Sequence, residues 1–251
     1  MIAPVALTCG EPAGIGPEIA VKAWAELRDS VPFFWIGDPR HLSASAEFQV
    51  IADPGKASDI CAHALPVLCH PFAEVPVPGY PAGANAQGVL DAIARGVDVV
   101  QSGAACALCT TPIHKKVLLD GAAFAYPGHT EYLAALTGTD RVVMMLASPA
   151  MRVVPTTIHI ALEDVPWRLT PDLLRDTIRI TADGLKQRFG LDIPRLAVAG
   201  LNPHAGEGGV MGRQELTWIA GLIADMAANG YAVTGPHPAD TLFHAAARVR
   251  Y

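Results

Sequence analysis

Among nine histidines, His204 has the setting that most invites chemistry. It lies in GLNPHAGEGG, residues 200–209, behind an apolar run and beside Gly200, Gly206, Gly208 and Gly209, which let a backbone approach a ligand closely. A neutral imidazole there suits a divalent transition metal, but a loop that needs glycine for its turn could equally carry a polar side chain with no ligand. His159, in PTTIHIAL, is flanked by apolar β-formers, so it reads either as a core histidine late in a strand or as a second ligand. The two are too far apart in sequence for a spacing rule such as HExxH to join them. His129 and Thr130, in YPGHTEYL, stand where a helix begins. A helix N-terminus with these side chains suits a phosphate or carboxylate, while Thr130 could also be a plain cap. Lys115, in TTPIHKK, is a candidate anion contact or proton carrier, with a solvated lysine as the ordinary alternative. Asp240, in PHPADTLF, is a candidate carboxylate behind a ligand, or a cap. His41, His63, His70 and His244 have no partner context and receive no role.

Two glycine- or cysteine-bearing stretches are weaker signals. GEPAGIGPE, residues 10–18, could hold an anion on backbone N–H groups, but it matches neither GxGxxG nor the P-loop and carries two glutamates; a turn with a helix cap fits it as well. CALC has CxxC spacing but lies inside AACALCTT, which reads as a buried strand with no second pair.

Positioning these residues falls to short β-rich runs that alternate with helical patterns. Examples are APVALTC before GPEIAVKAWAEL, GVLDAIARGVDVV before AACALCTT, and TPDLLRDTIRITADGLKQRFG before RLAVAGLNP. Near-continuous apolar strands between helices of ordinary length predict an α/β protein with a mostly parallel sheet, whose ligands gather at the carboxyl ends of strands. Thr170 and Pro171 form a cap and first-turn pair for the longest helix, and Gly190 its stop. At 251 residues, 51% hydrophobic and 17% charged, the chain can bury a large core as one or two domains. A net charge of -6 without clustered Lys and Arg argues against nucleic acid or an anionic membrane surface. The start lacks a basic n-region and no apolar segment reaches membrane-helix length, so a cytoplasmic protein is expected. Five cysteines in a core-rich chain are not a disulfide scaffold.

In order along the chain, GEPAGIGPE, PIHKK, PGHTEYLA, VVMMLAS, TTIHIAL, LNPHAGEGG and GPHPADTLF resemble the 4-hydroxythreonine-4-phosphate dehydrogenase family, from near Gly10 to Phe243. The resemblance implies a two-domain fold like that of isocitrate and isopropylmalate dehydrogenases, which binds its dinucleotide without GxGxxG. The first domain is expected at 1–115 with 231–251, and the second, carrying the dimer interface, at 116–230. It further implies a homodimer with active sites at the subunit interface, His159 and His204 as ligands of a divalent metal (Zn, Mg or Co), and His129 and Thr130 on a phosphorylated hydroxy amino acid. NAD or NADP is the implied oxidant, with Lys115 and Asp240 as further candidates for catalysis. The family continues into a segment with a third metal histidine in a His-Asp-Gln motif; here the sequence reaches ARVRY, expected to enter the strand before that motif as part of a longer chain.

The implied reaction is oxidation of 4-phosphooxy-L-threonine at C3 with decarboxylation to 3-amino-2-oxopropyl phosphate, a step in pyridoxal phosphate biosynthesis. Related activities on 4-phospho-threonate or 4-phospho-erythronate are the near alternative. A phosphotransacetylase-like acyltransferase, needing neither NAD nor metal, and an inactive truncated binding protein are more distant ones.

Overall fold

In the computed structural model of the chain, which describes residues 3–250, two compact units are formed, Met1–Thr139 and Asp140–Tyr251. The first contains β1 (Val5–Thr8), α1 (Gly16–Leu27), β2 (Phe33–Gly37), β3 (Phe48–Ile51), α2 (Ala57–Cys61), β4 (Leu65–Cys69), α3 (Ala86–Gln101), β5 (Ala107–Thr110), α4 (Lys115–Ala122) and α5 (His129–Thr137). Its five strands pair in parallel in the order β3-β4-β2-β1-β5. β2, FFWIG, lies between two neighbours, and Phe34, Trp35 and Ile36 are fully buried, as expected of an all-apolar strand inside a parallel sheet. α3 shows the helical period directly: Val89, Leu90, Ile93 and Val97 turn inward against the sheet. Parallel pairing sends every carboxyl end, with its loop, to one edge of the sheet. One of those loops is pinned by the buried Asp38, whose carboxylate accepts from Arg40 N, Nε and Nη2 and from Phe72 N at 2.6–3.0 Å. Burial opposes ionisation there, but these donors outweigh it and hold the Asp38 carboxyl well below the usual range.

The second unit contains the hairpin of β6 (Leu146–Ala147) and β7 (Arg152–Val153), then α6 (Val165–Arg168), α7 (Pro171–Phe189), β8 (Leu196–Ala199), a π-helical turn Glu215–Ile219 leading into α8 (Ala220–Ala228), β9 (Val233–His237), α9 (Ala239–Leu242) and α10 (Ala245–Arg248). Thr170 Oγ1 accepts from Leu173 N at 3.2 Å and Gly190 closes α7 at φ 66°, so both ends of the longest helix are written locally. Leu174 and Ile178 of α7 meet Ile219, Leu222, Ile223 and Met226, with Val233 of β9, in a separate core.

Several expected elements take another form. AACALCTT is not a buried strand: among the described residues β5 pairs only with β1, at one end of the strand order, and Cys106 and Cys109 are exposed. RVVMMLAS and MRVVPTTIHIAL shorten to Leu146–Ala147 and Arg152–Val153, since Pro155 offers no amide to a ladder and His159 has φ 56°. Residues 245–248 form the short helix α10, not a strand, and the last residue of ARVRY lies outside the described residues. By contacts, residues 231–250 group with the second unit, in which β9 pairs with β8.

Candidate active site

Parallel pairing of β8 with β9 sets their carboxyl ends side by side: Leu196 faces Val233, Ala199 faces His237, and Gly200 N donates to His237 O at 2.8 Å. The loop after β8 and the helix after β9 therefore leave from the same edge. His204 comes from the first and Asp240 from the second, and His204 Nδ1 lies 3.1 Å from Asp240 Oδ2. Both are about half exposed and line a cavity of about 430 Å³ with Gly200, Leu201, Asn202 and Pro203. When the imidazole is neutral and Nδ1–H donates to the carboxylate, Nε2 keeps its lone pair for a ligand.

The backbone that carries His204 is left-handed. His204 (φ 50°, ψ 30°), Ala205 (φ 52°), Gly206 (φ 80°), Glu207 (φ 40°) and Gly208 (φ 65°) follow one another in that region. For each of the three L residues this conformation costs about 1–2 kcal/mol, so surrounding contacts must hold it. Against the start of this loop stands Glu215, only 2% exposed, in the π-helical turn before α8. Its carboxylate accepts from Asn202 N at 2.7 Å and from Asn202 Nδ2 at 2.8 Å, and Asn202 Nδ2 also donates to Gln214 Oε1 at 2.9 Å. Hydrogen bonds to a charged group contribute about 1.5–3 kcal/mol each, the same order as the cost of the loop. Burial alone would raise the Glu215 pKa; the Asn202 donors overcome it and hold the carboxyl below its ordinary value. Gly206 is required for a second reason besides its φ, since a Cβ there would lie 3.0 Å from Glu215 Oε2.

In the first unit, His129 opens α5 behind Gly128, and no side chain caps the helix, so Thr130 is not its cap. His129 is half-buried, and among the described residues its buried Nε2 has no hydrogen-bond partner. Burial, and then the Lys115 ammonium, lower its pKa and keep the ring neutral near pH 7. Lys115 Nζ and Glu131 Oε2 both lie within 4 Å of where a side chain on Gly128 would begin. A helix N-terminus, an unsatisfied ring nitrogen and an ammonium together suit an anion. GEPAGIGPE closes on itself as a turn before α1: Ala13 N is taken by Glu11 Oε1, Gly14 N by Glu11 O, and Glu11 N goes to Pro112 O, so these three amides are spent on the turn.

The structure thus joins His204 to Asp240 and sets Lys115 beside His129. His159 is exposed, not in a core, and among the described residues no hydrogen bond or ion pair ties it to them. The donor chemistry at His204 fits a divalent metal, an imidazole oriented by a carboxylate being a common ligand arrangement. Among the described residues no cluster of three or more His, Cys, Asp or Glu could complete a coordination set. Glu215 and Asn202 escaped the sequence reading, although a signal was there. Ile219, Leu222, Ile223 and Met226 form an apolar face at helical spacing, and continuing it back one turn lands on Glu215, a carboxylate where a core residue belongs.

A family profile described as pyridoxal phosphate biosynthetic protein PdxA matches residues 29–251. The 4-hydroxythreonine-4-phosphate dehydrogenase of Roseobacter denitrificans is 62% identical over 250 residues, 99% of this chain and 77% of its own length. That of Ruegeria sp. is 62% identical over 247 residues, 98% of this chain and 76% of its own. The crystal structure of 4-hydroxythreonine-4-phosphate dehydrogenase from Klebsiella pneumoniae matches with a TM-score of 0.86 at 33% identity, covering 99% of this chain and 79% of that one.

Proposed function

Because the chain belongs to the PdxA family of pyridoxal phosphate biosynthesis, we propose that it dehydrogenates 4-phosphooxy-L-threonine, with a nicotinamide as hydride acceptor and a divalent metal at His204. The observation that carries the metal reading is the 3.1 Å pairing of His204 Nδ1 with Asp240 at the joint carboxyl end of β8 and β9. His159 and His204 would hold the ion, which as zinc, magnesium or cobalt supplies a Lewis acid that makes the substrate hydroxyl more acidic. In the reaction the C3 hydride passes to the nicotinamide of NAD or NADP and the hydroxyl proton to a base, leaving a 3-oxo acid. The bond from C2 to the carboxylate then breaks, carbon dioxide departs, and protonation at C2 gives 3-amino-2-oxopropyl phosphate.

The chain's own groups position and neutralise. His129 and Thr130, at the start of α5, bind the substrate phosphate; the neutral His129 ring gains a proton as the dianion arrives, and Lys115 adds charge or carries a proton beside it. Asp240 acts through His204 by fixing its tautomer. Active sites form at the interface of a homodimer, and the enzyme works in the cytoplasm. The test is NADH formation from 4-phosphooxy-L-threonine by the metal-free protein before and after zinc, cobalt or magnesium is added. Turnover that depends on added metal is expected; none with either nicotinamide in the metal-loaded protein would sink the proposal.

A further inference from the structure

We infer that Glu215 is a positioning residue for metal binding: clamped on Asn202, it holds the left-handed turn that aims His204, and it does so without touching the ligand. The inference rests on His204 being a metal ligand. Three independent features converge on it. First, Glu215 is 2% exposed and belongs to a π-helical turn, placed on the face that continues into the apolar side of α8. A buried carboxylate on such a face is destabilising unless its oxygens are matched, and here Asn202 N and Nδ2 match one oxygen each. Second, both donors come from Asn202, three positions past the end of β8 and two before His204, so the clamp fixes where the turn begins. Third, the carboxylate is packed against the loop: a Cβ on Gly206 would meet Gly212 O at 2.8 Å and Glu215 Oε2 at 3.0 Å, and one on Gly200 would meet Ala205 at 2.9 Å and Glu215 Oε1 at 3.3 Å.

The clamp also explains how His204 can be reliable on an exposed loop. Asp240 sets the ring's tautomer and rotation, but it cannot choose the backbone conformation from which the ring projects. That choice lies with Asn202 and Glu215, which oppose the return of residues 204–208 to an ordinary right-handed or extended path.

The experiment compares Glu215→Gln, Asn202→Ala and His204→Ala in the full-length protein, using cobalt and zinc as probes. Affinity is measured by calorimetry, ligand geometry by the visible absorption of bound cobalt, and folding by circular dichroism and thermal melting. Glu215→Gln keeps the shape but turns an amide toward donors. We expect it to fold and to bind both metals about 10–100-fold more weakly, the usual effect of removing support from behind a ligand, with a shifted cobalt spectrum. Asn202→Ala keeps the backbone donor and should weaken binding in the same direction by a smaller factor. A folded Glu215→Gln protein with unchanged affinity and spectrum overturns the inference. If that variant does not fold, Asn202→Ala decides, and unchanged affinity there overturns it. Should His204→Ala bind cobalt as tightly as the unaltered protein, the metal reading itself has failed and the role of Glu215 falls with it.

Discussion

At the scale of single residues, His204 and Asp240 make separable contributions that substitution can tell apart. His204→Ala should abolish metal-dependent turnover while leaving the melting temperature nearly unchanged, because the side chain is about half exposed and stands outside both cores. Asp240→Asn should keep the fold and lose about 10–100-fold in metal affinity, read by titration with zinc. His129 is separable in another way. Its depressed pKa leaves it neutral in the free protein, so binding a phosphate dianion should draw in a proton. Calorimetry of substrate binding in buffers of different ionisation enthalpy at about pH 7 should show that uptake, and His129→Ala should remove it. The same substitution should raise KM by about 10-fold or more, the scale of one lost charge-assisted hydrogen bond, with less effect on kcat.

At the scale of elements, the caps and turns carry predictions of their own. Thr170→Ala removes the bond to Leu173 N and should lower stability by about 1 kcal/mol, measured by urea denaturation. Gly206→Ala places a methyl group against the Glu215 carboxylate in a left-handed backbone, and should weaken metal binding more than it lowers the melting temperature. Elements with local signals were legible in the sequence. α7 announced itself by Thr170, Pro171 and Gly190, α3 by its period, and β2 by an unbroken apolar run. β4 was not, since LPVLC is short and holds Pro66, and a proline argues against an inner strand. The register resolves this: β2 begins pairing with β4 only at Val67, so Pro66 faces β3 alone. For the site, histidines in glycine-rich or helix-start settings stood out as residue types. Contacts between residues distant in sequence did not: Asp240 reaches His204 through the pairing of β8 with β9, and nothing local in the sequence joins Glu215 to Asn202.

At the scale of the whole molecule, the first unit should be the more sensitive to mild acid. His41, His70 and His129 are half-buried, and burial lowers the pKa of each from an ordinary value of 6.5. The unfolded chain therefore binds more protons than the folded one between those lowered values and about 6.5. The stability tied to them is fully present above that pH and is lost as pH falls through the folded values. Melting followed by hydrogen exchange at pH 7.5 and pH 5.5 should show amides of the first unit losing protection first on acidification. Equal loss in both units would show that these rings do not govern it.

Residues 204–208 trace a path that is the mirror image of ordinary protein backbone, and the mirror image of an amino acid should suit it. Gly208 has φ 65° and open space around it. D-Alanine placed there by chemical ligation would sit in its own preferred conformation and restrict the unfolded chain, raising stability by about 0.4–1 kcal/mol. L-Alanine at the same point should lower it. A stereochemical preference reversed at one position, measured by the two melting curves, would report directly on the handedness of the path that presents His204.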